Sequence, residues 1–341
     1  MFTYIVHRIL IMIPTLFAIS VLTFIIIQLP PGDYLTHQIE ELRSQGESAN
    51  FEKIEFLRKQ YGFDKPLVTQ YAIWAGIWPG DSGFSGLLQG DLGYSFEFDL
   101  PVVDVIGDRV WLSFLVSFTT ILFTWAISFP IGVYSAVRQY SLGDYTLTFF
   151  GFLGLATPNF LLALILQWMA FSYFGTSIGG LMDPQYMDAA WSVDKMLSVL
   201  EHLWVPVLVI GTSGTAGMIR RLRANLLDEL HKQYYTTAKA KGLPPGKALI
   251  KYPLRMALNP FIADIGNLLP EVISGAAIVS IVLSLPTTGP MLLNALQSQD
   301  MYLAGSFLMF LATLTVIGTL ISDLALAVLD PRIRIGGGAA K

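Results

Sequence analysis

The chain has 341 residues, 53% of them hydrophobic and 13% charged, with a mean hydropathy of +0.57. A soluble domain carries roughly 25% charged residues, so an ordinary soluble fold is excluded; with no cysteine, so are disulfides, thiolate metal sites and thiol nucleophiles. The net charge of −4 says little, because in a membrane protein the sidedness of charge is the informative quantity.

In chain order, apolar runs long enough to cross a bilayer fall at about 9–29, 111–136, 146–174, 203–219, 261–285 and 303–329. The expected fold is therefore an all-α membrane protein with six transmembrane helices. The first run exceeds a signal-peptide core, and Gln28-Leu29-Pro30-Pro31-Gly32-Asp33 replaces a small-residue cleavage site, so it reads as a retained span. Pro130, Pro158, Pro206 and Pro270 sit in or near spans two to five and read as packing kinks. Gly151 and Gly154, and Gly211, Gly214 and Gly217, suit close helix packing.

Between the first two runs, residues 31–108 form an acidic segment expected outside the cell membrane. Ala49–Tyr61 has a helical pattern, and Trp78–Tyr94, rich in Gly and Asp, reads as loop. Residues 109–335 hold the five remaining spans, and 336–341 a glycine-rich tail. Basic residues set the orientation. With the N-terminus inside, Arg8, Arg138, every Lys and Arg from Arg220 to Arg255, Arg332, Arg334 and Lys341 are cytoplasmic. Both termini are then cytoplasmic.

Catalytic patterns fail on inspection. Gly211-Thr212-Ser213-Gly214 matches the serine motif of intramembrane proteases, but no histidine base falls in spans five or six, and His202 lies along the serine's own span. Small-residue packing explains the motif better. Four histidines in all, His7, His37, His202 and His231, argue against a histidine metal cluster. Gly246-Lys247-Ala248 lacks the upstream glycine and the Ser/Thr of a phosphate-binding loop. The chain is read as a non-enzyme that binds no cofactor; any ATP and Mg would sit on other subunits.

The basic segment 220–259 reads as a helix, a stop at Gly242, a Pro244-Pro245-Gly246 turn, and a second short amphipathic stretch. A basic helix lying on anionic lipid is the bland alternative. The pattern Tyr234-x-x-Thr237-Ala238-x-Ala240-Lys241-Gly242-Leu243, then Leu254-Arg255-x-Ala257-Leu258-x-Pro260, resembles the coupling loop of binding-protein-dependent ABC importer permeases, in the B-type branch of the oligopeptide/dipeptide/nickel family. Further matches cover almost the whole chain: Arg8-Ile9-Leu10, Pro31-Gly32-Asp33, Tyr61 to Pro66, Gly90 to Phe96, Thr157-Pro158-Asn159-Phe160 and Asp330-Pro331-Arg332-Ile333-Arg334.

The resemblance implies a type I ABC importer permease fold, one half of a heterodimeric pore in a bacterial or archaeal inner membrane. It also implies partners: a second permease, two ATPase subunits, an external solute-binding protein and membrane lipid, but no nucleic acid. Tyr235, Thr237, Ala238, Lys239, Ala240, Lys241, Gly242, Leu243 and Pro244 would form the ATPase-coupling loop. Thr236 replaces the glutamate of the general loop motif, Pro253 stands where alanine is common, and Ser280 to Gly289 departs from the usual sequence after span five. The resemblance implies short peptides as cargo, with oligosaccharides or another small solute as the alternative, since that last difference bears on the substrate. Ionisable groups inside spans are costly and point to function. Glu271, with Asn267 and Ser274 on the same helical face, is the candidate translocation pathway. Asp323, Asp330 and Arg332 are read as structural. A stand-alone channel or secondary transporter and an intramembrane hydrolase are the rival readings.

Overall fold

The computed structural model describes residues 2–29, 34, 59, 62–80, 83–175, 178–187, 189–264, 268, 270, 271, 273 and 276–329. Within these, helices α1 (Phe2–Gln28), α2 (Leu67–Trp74), α3 (Val102–Val137), α4 (Leu142–Ala156), α5 (Asn159–Phe174) and α6 (Val193–Leu230) precede a run of short ones. These are α7 (Gln233–Ala240), α8 (Pro245–Lys251), α9 (Pro253–Ala257), α10 (Asn259–Ala263), α11 (Ala277–Val282) and α12 (Thr288–Gln297), before the long α13 (Met301–Leu329). A two-residue hairpin pairs β1 (Tyr94–Ser95) antiparallel with β2 (Leu100–Pro101).

Among the described residues, four helices are long and apolar enough to cross a membrane: Val6–Gln28, Val102–Val137, Val193–Leu230 and Met301–Ala325. The expected third span is not one helix. Leu142–Ala156 and Asn159–Tyr173 meet at 93°. Thr157, preceding a proline, leaves the helical region (φ −84°, ψ 118°), and Pro158 has no N–H to continue the ladder. Counted as one bent span, the pair brings the candidates among the described residues to five, by length and composition. Pro14, Pro130 and Pro206, by contrast, sit inside unbroken helices.

The expected fourth span, 203–219, lies inside a longer helix. α6 has 38 residues, roughly 57 Å of helix against a hydrocarbon core of about 30 Å, more than a crossing needs. The expected fifth span, 261–285, is not continuous among the described residues: α10 and α11 flank a stretch of which only 264, 268, 270, 271, 273 and 276 are described. Asn267, Ser274, Asp330 and Arg332 lie outside the described residues, as does nearly all of the expected helix at Ala49–Tyr61.

The chain forms two compact units, residues 1–111 with 290–316, and residues 112–289 with 317–341. In the first, Phe63 meets Phe96 and Tyr302 edge-on at 5.8 and 6.0 Å. Asp300 is the anchor. Wholly buried, it caps α13 by accepting the Leu303 N–H at 3.1 Å. It also accepts the Ser95 hydroxyl at 2.7 Å and the Glu97 N–H at 3.1 Å. Gly93, at φ +84°, lies so close to the Tyr302 ring that an added Cβ would come within 2.2 Å of it. The Gly90–Phe96 motif is thus a close-packed hairpin clamped onto the start of α13. Among the described residues, the expected loop at Trp78–Tyr94 holds apart from one 3-10 turn, Leu87–Gln89, an isolated bridge between Gly80 and Gly83, and Tyr94, which starts β1.

In the second unit, Leu112 and Val116 of α3, Ala163 of α5, Val199, Leu203 and Val209 of α6, and Val279 of α11 share one core. α3 and α6 approach closely at Gly132, where an added Cβ would meet the Leu222 side chain at 3.0–3.2 Å.

Candidate functional site

The basic segment folds as a chain of short helices standing on the end of α6. Residues 226–242 do not make one helix: α6 ends at Leu230 and α7 begins at Gln233. α7 ends in a Schellman motif, with the Leu243 N–H bonded to the Ala238 carbonyl at 3.2 Å and the Gly242 N–H to the Lys239 carbonyl at 2.9 Å. The motif requires a left-handed residue, which Gly242 supplies at φ +84°. Pro245 and Gly246 do not form a separate turn. They already belong to α8, whose first turn tolerates proline because its N–H groups have no intrahelical partner. Pro253 likewise opens a helix, α9, after a break at Tyr252.

This knuckle has an inner and an outer surface. Leu249, Leu254, Ala257 and Leu258 pack on Ala136 of α3 and Leu222 and Leu226 of α6. Ala238, Ala248 and Pro253 are buried, and Tyr235 and Leu243 half-buried. The remaining residues named from the sequence, Thr237, Lys239, Ala240, Lys241, Gly242 and Pro244, are exposed. Lys239 lies over the Tyr235 ring at 4.5 Å. Tyr234 packs near Tyr252, with ring centroids 6.4 Å apart, and its hydroxyl donates to the Glu229 carboxylate. Burial and that carboxylate push the phenol above the usual tyrosine range, so it remains a donor.

Two charged pairs that sequence reading did not single out fasten the helices beneath. Arg223 of α6 donates to Asp144 of α4 through Nε at 3.1 Å and Nη2 at 2.9 Å, a bidentate pair on a buried carboxylate. Asp144 also accepts the Tyr140 N–H at 3.0 Å, and its own N–H donates to the Ser141 hydroxyl at 3.1 Å. The signal was present as Ser141-x-x-Asp144 before an apolar run, a helix-start pattern. Arg221 pairs with Asp264 and stacks on Phe261 at 4.8 Å.

Beside this pair opens a cavity of about 670 Å³, within the range of ~300–1,000 Å³ that holds small ligands. Thr120, Thr124 and Trp125 of α3 line it, with Ser213, Gly217 and Arg220 of α6. Asp264 and Glu271 line it too. Of the three pathway residues named from the sequence, the structure thus brings Glu271 to a cavity. The three glycines of α6 do not behave alike: a Cβ on Gly211 would meet Phe123 at 2.6 Å, whereas one on Gly217 would meet nothing within 4 Å. Packing accounts for the first; the last leaves the cavity open. Asp323 is half-buried in α13.

The serine motif has no catalytic geometry. Ser213 donates to the Ile210 carbonyl at 3.4 Å, while His202 Nδ1 lies 2.8 Å from the Ser198 carbonyl and Nε2 4.0 Å from Asp183. Eleven residues of one helix, ~16 Å, separate Ser213 from His202.

Residues 128–335 match the model for binding-protein-dependent transport system inner membrane components, and residues 1–119 the model for the N-terminal part of such membrane components. The chain is 33% identical to the oligopeptide transport system permease protein AppB of Bacillus subtilis, over 98% of this chain and 99% of that one. It is 29% identical to the dipeptide transport system permease protein DppB of Escherichia coli K12 (98% and 99%), and 28% identical to the oligopeptide transport system permease protein OppB of Haemophilus influenzae (98% and 100%). With a knuckle anchored on two membrane-length helices and family models matching most of its length, the chain belongs to the family of binding-protein-dependent transport system inner membrane components.

Proposed function

We propose that this chain is one permease subunit of an ATP-driven importer of short peptides, moved by separate ATPase subunits through the knuckle at 233–258. The carrying observation is mechanical. The knuckle's inner surface is packed on α3 and α6, while its exposed surface, Thr237 and Lys239 to Gly242, is left for a partner. A push on that surface is delivered to two helices that also line the cavity. Peptide cargo is supported by the names of the relatives, oligopeptide and dipeptide permeases.

On this reading the knuckle and both termini are cytoplasmic, as the basic residues indicate. Residues 31–108 face outward toward a solute-binding protein. A second, homologous permease completes the pathway along Glu271, Asn267 and Ser274. The permease contributes contacts that differ between inward- and outward-open states, and the partners that close on ATP and Mg bias that equilibrium. Purification in mild detergent from cells expressing the whole transport system tests the proposal. ATPase subunits that co-purify and hydrolyse ATP faster with peptide-loaded binding protein are expected. A lone chain that conducts solute without ATP would overturn it in favour of a channel or secondary transporter.

A further inference from the structure

A second cavity, of about 270 Å³, lies between α4 and α6. Two contacts fix how these helices meet. Arg223 grips Asp144 at one end. At the other, Gly154 lies so close to Thr212 that an added Cβ would stand 2.9 Å from its methyl group. The helices therefore run antiparallel from Asp144 to Gly154, ~15 Å of α4, which is the depth of one leaflet of a hydrocarbon core about 30 Å thick. The lining changes character along that length. Toward the knuckle it is Tyr140, Tyr145, Arg220 and Arg223, and deeper it is Phe152, Leu155 and Ala216. Gly151 keeps the groove open between them, since a Cβ there would meet nothing within 4 Å.

The charges at the knuckle end do not cancel. Asp144 is the only carboxylate among the described lining residues, and Arg223 already answers it. Arg220 is exposed and has no hydrogen bond or ion pair to any described residue. Tyr140 and Tyr145 are mostly exposed beside it, and such amphipathic rings favour the headgroup level of a membrane. The outer side of α4 carries exposed Phe149, Phe150 and Leu153, a surface that suits hydrocarbon and not water.

We propose that this groove binds an anionic phospholipid of the leaflet on the knuckle's side, with the phosphate at Arg220 and one acyl chain lying past Gly151 toward Leu155. The inference needs only the chain's place in a membrane and is independent of the cargo. Basic pockets between membrane helices take anionic headgroups, and the planar fork of arginine matches two phosphate oxygens. A zwitterionic lipid brings the same phosphate together with a cation that Arg220 repels. A small free anion would leave the apolar length of the groove unused.

The complete importer, with cysteine-free partner subunits, is reconstituted in phosphatidylcholine vesicles that hold a minor share of phosphatidylglycerol. This chain contains no cysteine, so Leu155→Cys takes one bimane label at the deep end of the groove. Leu153→Cys takes one at a similar depth on the outer side of α4, where the side chain is exposed. Bromine on the acyl chains of one lipid at a time quenches a neighbouring label. Phosphatidylglycerol should quench position 155 out of proportion to its share, and position 153 in proportion to it. Arg220→Gln should reduce the preference at 155 about fivefold, the worth of one arginine near a charged membrane surface, and Arg220→Lys should retain most of it. Gly151→Leu, which fills the groove, should abolish the preference without lowering the melting temperature. Quenching at 155 that ignores the headgroup, or a preference that survives both Arg220→Gln and Gly151→Leu, would overturn the site. Quenching at 155 by neither lipid would overturn it as well, because another subunit would then cover the groove.

Discussion

Replacing Gly242 probes the knuckle with little interference from packing. The residue holds φ +84°, and a Cβ built on it meets nothing within 4 Å. The cost of Gly242→Ala is therefore conformational rather than steric, about 1–2 kcal/mol for an L-residue in the left-handed region. That amounts to a five- to thirty-fold loss in the population of the capped form. The cost falls on the Schellman cap of α7, and the core under α8 and α9 keeps all its contacts. Thermal stability of the purified chain should then move little, while the apparent affinity for the ATPase subunits falls by about the same factor. Gly242→Asn should lose less, because asparagine visits that region more readily, and Gly242→Val more, because of its branched Cβ. Titration of the ATPase against the reconstituted permease, with peptide-stimulated ATP hydrolysis as signal, measures the series. Equal affinity across all three variants would refute the claim that the capped knuckle is the form the partner grips.

Other substitutions separate packing from function. Arg223→Gln strands the buried Asp144 carboxylate and should cost about 3–5 kcal/mol, more than Asp144→Asn, because the Arg223 side chain is 27% exposed against 3% for Asp144 and regains water; denaturation in detergent ranks them. Gly211→Val, driven into Phe123, should lower the melting temperature, whereas Gly217→Val should keep it and reduce uptake by narrowing the cavity. Gly93→Ala, which meets both the Tyr302 ring and a left-handed backbone, should unfold the hairpin contact, seen as faster proteolysis of the first unit. Burial raises the Asp300 carboxyl above the usual carboxylate range despite the hydrogen bonds it accepts from Ser95, Leu303 and Glu97. The folded chain then holds that proton more tightly than the unfolded one. Its contribution to stability is full below the ordinary carboxylate pKa and declines as pH rises through the raised value. Asp300→Asn should remove that decline, read as a wild-type-minus-variant difference in melting temperature across pH.

Much of this architecture was legible in the sequence because a bilayer demands long apolar runs. The first, second and last membrane-length helices end near the expected places, although the first two begin seven and nine residues earlier than expected, at Phe2 and Val102, and Gly242 terminates its helix for the reason its residue type suggests. What escaped has physical causes. Hydropathy measures apolarity and not direction, so it merged α4 and α5 across Thr157-Pro158, where the backbone turns by 93°. It also clipped α6, whose ends carry charges and yet continue the helix from Val193 to Leu230. Pro245 reads as part of a turn but opens a helix, as Pro253 does, because a first-turn N–H has no partner to lose. The Asp300 clamp joins residues two hundred apart in sequence, beyond the reach of any local pattern. Ser141-x-x-Asp144 was readable as a cap, although its Arg223 partner was not.

Crosslinking at position 241 tests the central claim most directly. The chain contains no cysteine, so Lys241→Cys places one thiol on the exposed tip of the knuckle, and Val193→Cys places another, 70% exposed, at the far end of α6. With the assembled importer and a short bifunctional maleimide, the account predicts an adduct between this chain and an ATPase subunit from position 241 and none from position 193. An ATPase adduct from 193 but not from 241, or no adduct from 241 in an importer that still hydrolyses ATP on peptide delivery, would contradict it.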